Sequence, residues 1–147
     1  MFRLSQKADY GLILLSSLAK FHSRSEAELN SGAHSGSVTS DGYFSISKIA
    51  AQYKLSPKFL SQIAQALKKG GILASREGVL GGYTLAKSAE QIKLLDVLKI
   101  LEGEFFEGQC FKDEAKCICG AKGIWKDMRD QVQSTLSKKT VADLMVI

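Results

Sequence analysis

Three cysteines are the residues whose chemistry and spacing first suggest a function. Cys110, Cys117 and Cys119 lie within ten residues of the chain, with the spacing C-x6-C-x-C, in a segment that also contains several glycines. Thiolates this close in sequence can converge on a single iron or zinc centre. The same residues are also consistent with a redox-active pair formed by Cys117 and Cys119, or with three thiols that have no chemical role.

A second set of polar side chains lies on a predicted helix that begins at Pro57. The apolar residues of this helix recur at helical spacing, which predicts one buried face; they are Leu60, Ile63, Ala64 and Leu67. The other face carries only uncharged or basic side chains, namely Lys58, Ser61, Gln62, Gln65, Lys68 and Lys69. Glutamine can bond bidentately to adenine, and lysine can reach guanine or phosphate. An ordinary amphipathic surface helix would show the same pattern.

The elements on either side of this helix favour DNA binding. Ser47 is predicted to start a short helix, and a three-residue break ends at Ser56, which is predicted to cap the second helix. Two strand-like runs, 72–76 and 83–86, follow and are joined by a glycine-rich turn, which predicts a hairpin. This order is that of a helix-turn-helix followed by a wing. Arg76, at the base of the wing, could enter a minor groove.

The chain around this unit contains two further predicted helices and a long segment without periodicity. Ser5 is predicted to cap a helix over residues 6–21, on which apolar residues recur at helical spacing. Residues 23–42 are rich in serine, glycine and alanine and show no apolar period, which predicts a loop that is either flexible or an insertion. Another helix is predicted over roughly 94–101.

The sequence therefore divides into three parts. Residues 1–102 are predicted to form the winged helix-turn-helix domain, 103–123 the cysteine-bearing loop, and 124–147 a long helix with a last turn. Thr140 and Asp143 have the spacing of a capping box at that turn. The long helix carries a narrow apolar stripe formed by Trp125, Met128, Val132 and Leu136. The predicted fold class is mainly α with a small β-hairpin wing.

Composition sets outer limits on the function. The 147 residues include 20 Lys and Arg against 15 Asp and Glu, a net charge of +5 that suits a polyanionic partner. The apolar stretch over 11–19 is too short to span a bilayer and is not followed by a signal-peptide cleavage pattern, so we expect a cytoplasmic protein without a membrane partner. The sequence contains no phosphate loop and no catalytic triad pattern, and we expect no enzymatic activity.

Several short motifs follow one another in a specific order along the chain. They are the opening Arg3–Leu12, the segment Ile46–Ala50, the wing residues Gly81–Ala86, the cysteine-bearing loop, and the run from Trp125 to Leu144. Together they resemble a family of bacterial winged-helix transcription regulators that includes the IscR, NsrR and CymR types. The resemblance covers nearly the whole chain except residues 23–42.

The resemblance implies a dimeric transcription regulator, a repressor or a dual regulator. It implies a homodimer whose long C-terminal helices pack across the two-fold axis through the stripe, and a pseudo-palindromic duplex DNA partner whose half-sites lie about one turn, roughly 34 Å, apart. The DNA-contacting residues expected from the resemblance and from the wing are Arg3, Ser47, Ser56, Lys58, Phe59, Ser61, Gln62 and Arg76. Relatives often carry arginine where this wing has Glu77, so their minor-groove contact does not carry over.

The resemblance also implies an iron–sulfur cluster held by Cys110, Cys117 and Cys119, of the [2Fe–2S] or the [4Fe–4S] type, which an aerobically prepared sample can lack. Asp9 matches the position from which some relatives supply a fourth ligand across the dimer. Cys117 departs from the usual position of the middle cysteine, and Lys122 stands where other relatives have histidine. The alternative is a regulator without a cluster that is controlled by thiol oxidation, a small ligand or a partner protein.

Overall fold

The computed structural model describes residues 4–31, 42–79, 81–104 and 120–146. Within these ranges the elements are, in order, α1 (Gln6–Ser31), α2 (Ile46–Tyr53), α3 (Pro57–Lys69), β1 (Leu73–Arg76), β2 (Gly82–Leu85), α4 (Leu94–Glu102), α5 (Lys122–Lys138) and the 3₁₀ helix η1 (Val141–Val146). The predicted fold class, mainly helical with one small hairpin, is confirmed.

Helix α1 begins where the sequence predicts and ends about ten residues later. The Lys7 N–H donates to the Ser5 hydroxyl at 3.2 Å, which confirms Ser5 as the cap. The helix continues to Ser31, so the prediction of a loop is wrong for residues 23–31. Its tetrapeptide Glu26 to Leu29 consists of good helix formers. They extend the helix without an apolar period, and residues 32–41 of the predicted loop lie outside the described residues.

The core is formed where α1, α2, α3 and α4 meet. The four apolar residues predicted for the buried face of α3 are all completely buried, which confirms the amphipathic pattern of that helix. The other large side chains that are almost fully buried come from α1, α2, α4, the segment between β2 and α4, and η1, and they are Leu14, Leu15, Leu18, Ile49, Ile92, Val97 and Val141. Burial of this apolar surface holds α3 in a fixed orientation relative to the rest of the domain.

The wing is a two-stranded antiparallel hairpin extended by one residue from before α2. Arg76 pairs with Gly82 and Leu73 with Leu85, so the first strand is one residue shorter than the predicted 72–76 and the second begins and ends one residue earlier than the predicted 83–86. The Phe44 N–H donates to the Tyr83 carbonyl at 2.9 Å, and the Tyr83 N–H donates to the Phe44 carbonyl at 2.8 Å. The wing is therefore hydrogen-bonded to the segment that leads into the helix-turn-helix.

Gly82 permits this close approach, and we expect Gly82→Ala to destabilise the fold. Its φ is +147°, and an added Cβ would lie 2.2 Å from the Phe44 carbonyl oxygen, which is backbone. The free energy of unfolding, measured by urea denaturation, is expected to fall by about 2–4 kcal/mol from backbone strain and overpacking together. Gly78→Ala is the matched control, because Gly78 also has a positive φ, +107°, but has open space around it. Equal losses in both variants would contradict the close-contact explanation.

The 3₁₀ helix η1 packs back onto the winged-helix core. The Val141 N–H donates to the Ile92 carbonyl at 2.9 Å, the Leu94 N–H donates to the Lys139 carbonyl at 2.9 Å, and Val141 is completely buried. The Asp143 carboxylate accepts from the Thr140 N–H at 2.7 Å and from its hydroxyl at 3.3 Å, which confirms the predicted cap. The segment that follows α5 is thus part of the same core as α1 and α4.

The cap at η1 makes a pH-dependent contribution to stability. The hydrogen bond from the Thr140 N–H lowers the pKa of the Asp143 carboxyl below its ordinary value. A carboxyl with a lowered pKa in the folded state stabilises the fold above its ordinary pKa, and this stabilisation is lost as the pH falls through the lowered value. We therefore expect Asp143→Asn to be less stable than the wild type at neutral pH and equal to it in acid, as measured by denaturation at several pH values. A difference that did not change with pH would contradict this role.

Candidate nucleic-acid interface

The break between α2 and α3 sets the angle at which α3 leaves the core. Lys54 adopts the left-handed conformation with φ 54° and ends α2, and the Leu55 N–H donates back to the Ala50 carbonyl at 2.8 Å. The Ser56 hydroxyl then accepts from the Phe59 N–H at 3.4 Å, and Pro57 follows in the first turn. These contacts confirm the predicted three-residue turn and the predicted cap of α3.

The outward face of α3 presents polar and basic side chains to solvent. Lys58, Gln62 and Gln65 are exposed, Ser61 is half-buried, and the helix contains no acidic residue. Ser47 is exposed in the first turn of α2. Such a face does not repel phosphate groups, and the amide of Gln62 is free of the core and able to meet a base edge.

Phe59 differs from its neighbours because its ring packs against the domain. The side chain is half-buried, and its ring meets the Tyr10 ring edge-to-face with centroids 5.6 Å apart. This contact joins the first turn of α3 to the second turn of α1. Phe59 therefore helps to hold the start of α3 in position.

Arg76 lies at the base of the wing, and its guanidinium group is held by an aromatic ring. The guanidinium carbon is 4.6 Å from the centroid of the Tyr43 ring, a cation–π contact. The sequence did not single out Tyr43, although the aromatic pair Tyr43-Phe44 is typical of a strand and could have indicated one. Arg3, the remaining residue of the predicted DNA-contacting set, lies outside the described residues.

Helix α5 has an apolar face that the rest of the described chain leaves largely uncovered. No residue of α5 is buried; Ile124 is 65% exposed, Trp125 45% and Met128 40%. Val132 and Leu136, further along the predicted stripe, are half-buried, and Leu136 packs against the core. An exposed patch of large apolar side chains is characteristic of an interaction surface.

The three predicted metal-ligating cysteines, Cys110, Cys117 and Cys119, lie outside the described residues. Asp9 is exposed in the first turn of α1. Among the residues that the structure describes, no three His, Cys, Asp or Glu side chains come together as a metal site.

A hydrogen bond links the end of α4, just before the cysteine-bearing loop, to the start of α1. The Ser5 hydroxyl donates to the Glu102 carboxylate, and Glu102 is the last residue of α4. A carboxylate at the start of a helix is also favoured by the helix dipole. Sequence reasoning missed this pair, because two residues 97 positions apart carry no local signal of their contact. Helix α4 therefore ends beside the start of α1.

Within the described parts of the chain, no helix combines the length and the apolar character that a membrane span requires.

Comparisons with known proteins agree with this geometry. Residues 4–146 match the model of the Rrf2 family, described as an iron-dependent transcriptional regulator. The HTH-type transcriptional regulator CymR of Bacillus subtilis is 28% identical over 142 residues, which are 97% of this chain and 88% of that protein. The crystal structure of an oxidized form of Staphylococcus aureus CymR is similar with a TM-score of 0.68 and 31% identity, over 97% of this chain and 95% of that one. The structure of T. potens IscR gives 0.65 and 27%, over 97% and 85%.

Proposed function

Because this chain belongs to the Rrf2 family of transcriptional regulators, we propose that it binds a pseudo-palindromic duplex as a homodimer and that the chemical state of its cysteines sets the affinity. DNA binding itself follows from the family. The observation that carries the proposed mode of DNA binding is the outward face of α3. This helix is capped at Ser56, held by a completely buried apolar stripe, and free of acidic side chains. In a bacterial cell such a regulator would act in the cytoplasm, where the DNA lies.

We assign direct base contacts to the first two turns of α3. Lys58, Ser61 and Gln62 share its outward side, and residues near the start of a recognition helix are the ones that reach base edges. The remaining contacts are assigned to phosphates or to fit at the groove edge, from Arg3, Ser47, Ser56, the accessible part of Phe59, and Arg76. The Tyr43 ring beneath Arg76 supports a fixed position for that guanidinium group near the base of the wing.

The exposed apolar face of α5 supports the homodimer. If two copies packed their α5 helices together across a two-fold axis, the partner helix would cover Trp125 and Met128, together with Val132 and the exposed edge of Leu136. It would also cover Ile124, which lies beside Trp125 one turn before Met128. Burying such side chains between two copies removes apolar surface from water and is the ordinary driving force for association.

The donor set of the cysteine-bearing loop fits an iron–sulfur cluster in its chemistry. Cys110, Cys117 and Cys119 are soft thiol ligands of the kind that iron–sulfur centres require, and Asp9 is an exposed carboxylate with no core role. We propose that these four residues hold the cluster, with Asp9 contributed across the dimer. When bound, the cluster would supply a centre that reacts with oxygen or nitric oxide and that depends on the supply of iron.

A second candidate is control by thiol oxidation without a cluster. It is favoured by the similarity to a CymR whose structure is described as an oxidized form, at 31% identity over nearly the whole of both chains. In that case Cys117 and Cys119, separated by one residue, would be the first thiols to test. Thiol reactivity then depends on how much thiolate is present and how accessible it is.

DNA binding and its salt dependence test the first part of the proposal. Duplexes selected from a random library by the wild-type protein should show two related half-sites. A dimer that contacts roughly six to ten phosphates should lose about a thousandfold or more in affinity between 50 and 200 mM salt. Selection of no common sequence, together with binding that does not change with salt, would contradict it.

Anaerobic purification distinguishes the two sensing candidates. A cluster predicts brown protein with stoichiometric iron and sulfide, and Cys119→Ala should remove both the colour and the iron. Thiol control predicts colourless protein in which peroxide changes the mass at Cys117 or Cys119 and alters the DNA affinity. Colourless protein whose DNA affinity does not change with oxidant would contradict both sensing candidates.

A further inference from the structure

A cavity of about 90 Å³ opens where α1, the segment after β2, and η1 meet. Its volume is well below the roughly 300–1,000 Å³ of pockets that hold drug-sized ligands, so it suits a small metabolite. None of the described residues that line it belongs to α3, to the α5 stripe, to the candidate DNA-contacting set or to the candidate cluster ligands. The cavity is therefore a separate feature of the domain.

The inner surface of the cavity is apolar. Ala19, Leu85 and Ala89 line it and are buried, and Met145 of η1, which is half-buried and packs against the core, adds a flexible thioether side chain. Two of these four side chains are single methyl groups, which leaves room that larger residues would fill. Such a surface favours a short aliphatic group of a ligand, because the contact removes apolar surface from water.

The mouth of the cavity carries both signs of charge. Lys87, Ser88 and Glu90 line it and are exposed, and within the described parts of the chain neither Lys87 nor Glu90 forms an ion pair. Ser23 lies at the same mouth, and its hydroxyl donates to the Lys20 carbonyl at 3.0 Å, so its oxygen can still accept a hydrogen bond. A cation and an anion beside one small cavity are complementary to a ligand that carries both charges.

Backbone hydrogen bonds hold the walls of the cavity in place. The Gln91 N–H donates to the Ser88 carbonyl at 3.0 Å, which closes a turn in the segment that bears the charged residues. The Ala142 N–H of η1 donates to the Ala89 carbonyl at 3.2 Å, which joins this segment to η1. A ligand would therefore meet walls that are already ordered, which lowers the entropic cost of binding.

We propose that this cavity binds a zwitterionic α-amino acid with a short apolar side chain. The Lys87 ammonium and the Ser88 hydroxyl bind the ligand carboxylate, and the Glu90 carboxylate binds the ligand ammonium group. The aliphatic part of the ligand packs on the apolar inner surface. Because the ligand contacts α1, the segment after β2 and η1 together, its binding stabilises the packing of η1 on the core. Binding at this cavity requires neither DNA nor a cluster.

Three ligands that differ by one charged group test the proposed chemistry. In calorimetric titrations of the full chain, L-valine is expected to bind with a Kd on the order of 0.1–1 mM, as suits a ligand of few atoms. Isovalerate lacks only the ammonium group and isobutylamine only the carboxylate. Each should bind about three- to tenfold more weakly, because each loses one charged contact. At about 10 mM L-valine the Tm should rise by roughly 4–8 °C.

Methyl-labelled methionine locates the binding site by NMR. L-valine should shift the Met145 methyl signal, which Met145→Leu identifies by its disappearance, and should leave that of Met128 unchanged. Lys87→Gln and Glu90→Gln should each weaken L-valine binding about three- to tenfold without loss of stability, since both side chains are exposed. Lys99→Gln is the matched control, because Lys99 is exposed on α4 and does not line the cavity. It should keep the wild-type affinity.

Several results would overturn the amino-acid site. They are the absence of binding by both L-valine and L-alanine, binding of isovalerate or isobutylamine as tight as that of L-valine, and a shift of Met128 with Met145 unchanged. Wild-type L-valine affinity in both Lys87→Gln and Glu90→Gln would also overturn it. Each of these results leaves DNA binding by α3 intact, because DNA binding is measured with the selected duplex and without amino acid.

Discussion

Replacing Met128 with glutamate is expected to produce a folded monomer that binds the selected duplex about 10²–10⁴-fold more weakly than the wild type, because the second half-site no longer binds at high effective concentration. Met128 is 40% exposed in the middle of the α5 stripe, with Ile124 and Trp125 one turn before it, and no residue of α5 is buried. The substitution therefore removes nothing from the core. Sedimentation measures the oligomeric state, and titration of the duplex measures the affinity.

Ser134→Glu is the matched control for this prediction. Ser134 is exposed on the opposite side of α5, so the variant gains the same charge on the same helix away from the stripe. It should remain a dimer with wild-type affinity. If Ser134→Glu and Met128→Glu dissociated equally, net charge would be responsible and the apolar stripe would not be the interface. A dimeric Met128→Glu protein would place the two-fold axis elsewhere.

The second large effect is expected for Gln62→Ala, which should weaken binding on the order of a hundredfold and flatten the preference for one base pair in each half-site. A bidentate contact to a base is worth about 1–3 kcal/mol, and the dimer makes it twice. Gln62 is exposed on α3, so truncation should leave the stability unchanged. Affinities for duplexes carrying each of the four pairs at the responsive position measure both effects.

Gln65→Ala provides a control with the same chemistry. Gln65 is also exposed on α3, one turn further from Ser56, and base contacts fall off along a recognition helix after its first turns. The control should lose little affinity and keep the base preference. Equal losses in the two variants would mean that α3 lies along the groove in a different register from the one proposed.

The winged helix-turn-helix could be predicted from the sequence because each of its parts has a local signal. The α3 stripe, the cap at Ser56 and the glycines of the wing all act over three to seven residues, and the structure confirms each of them. The end of α1 could not be predicted in the same way. Residues 23–31 combine the helix-forming run Glu26 to Leu29 with serines and an asparagine and have no apolar period, so both their composition and their lack of periodicity indicate a loop.

Contacts between residues far apart in the sequence account for the other structural features that the sequence did not predict. The bridge between Phe44 and Tyr83 and the hydrogen bond between Ser5 and Glu102 join segments that no sequence pattern relates. The α5 stripe shows the converse case. Its helical spacing predicts an apolar face, and Trp125 and Met128 on that face are exposed, while its role in dimerisation stays a prediction. The candidate DNA-contacting set was therefore only partly foreseeable: the positions on α3 follow from its helical period, whereas the ring beneath Arg76 does not.

The return of η1 to the core has a consequence for the order of synthesis. Val141 fills the same core as α1 and α4, and the Lys139 carbonyl accepts from Leu94. The ribosome therefore has to translate beyond Val141 before the winged helix-turn-helix domain can complete its core. Products of interrupted translation that stop before Lys139 carry a complete α3 and wing but lack part of their core. Such fragments are poor competitors for operators, so nonsense alleles that end within α5 should be recessive to the wild type.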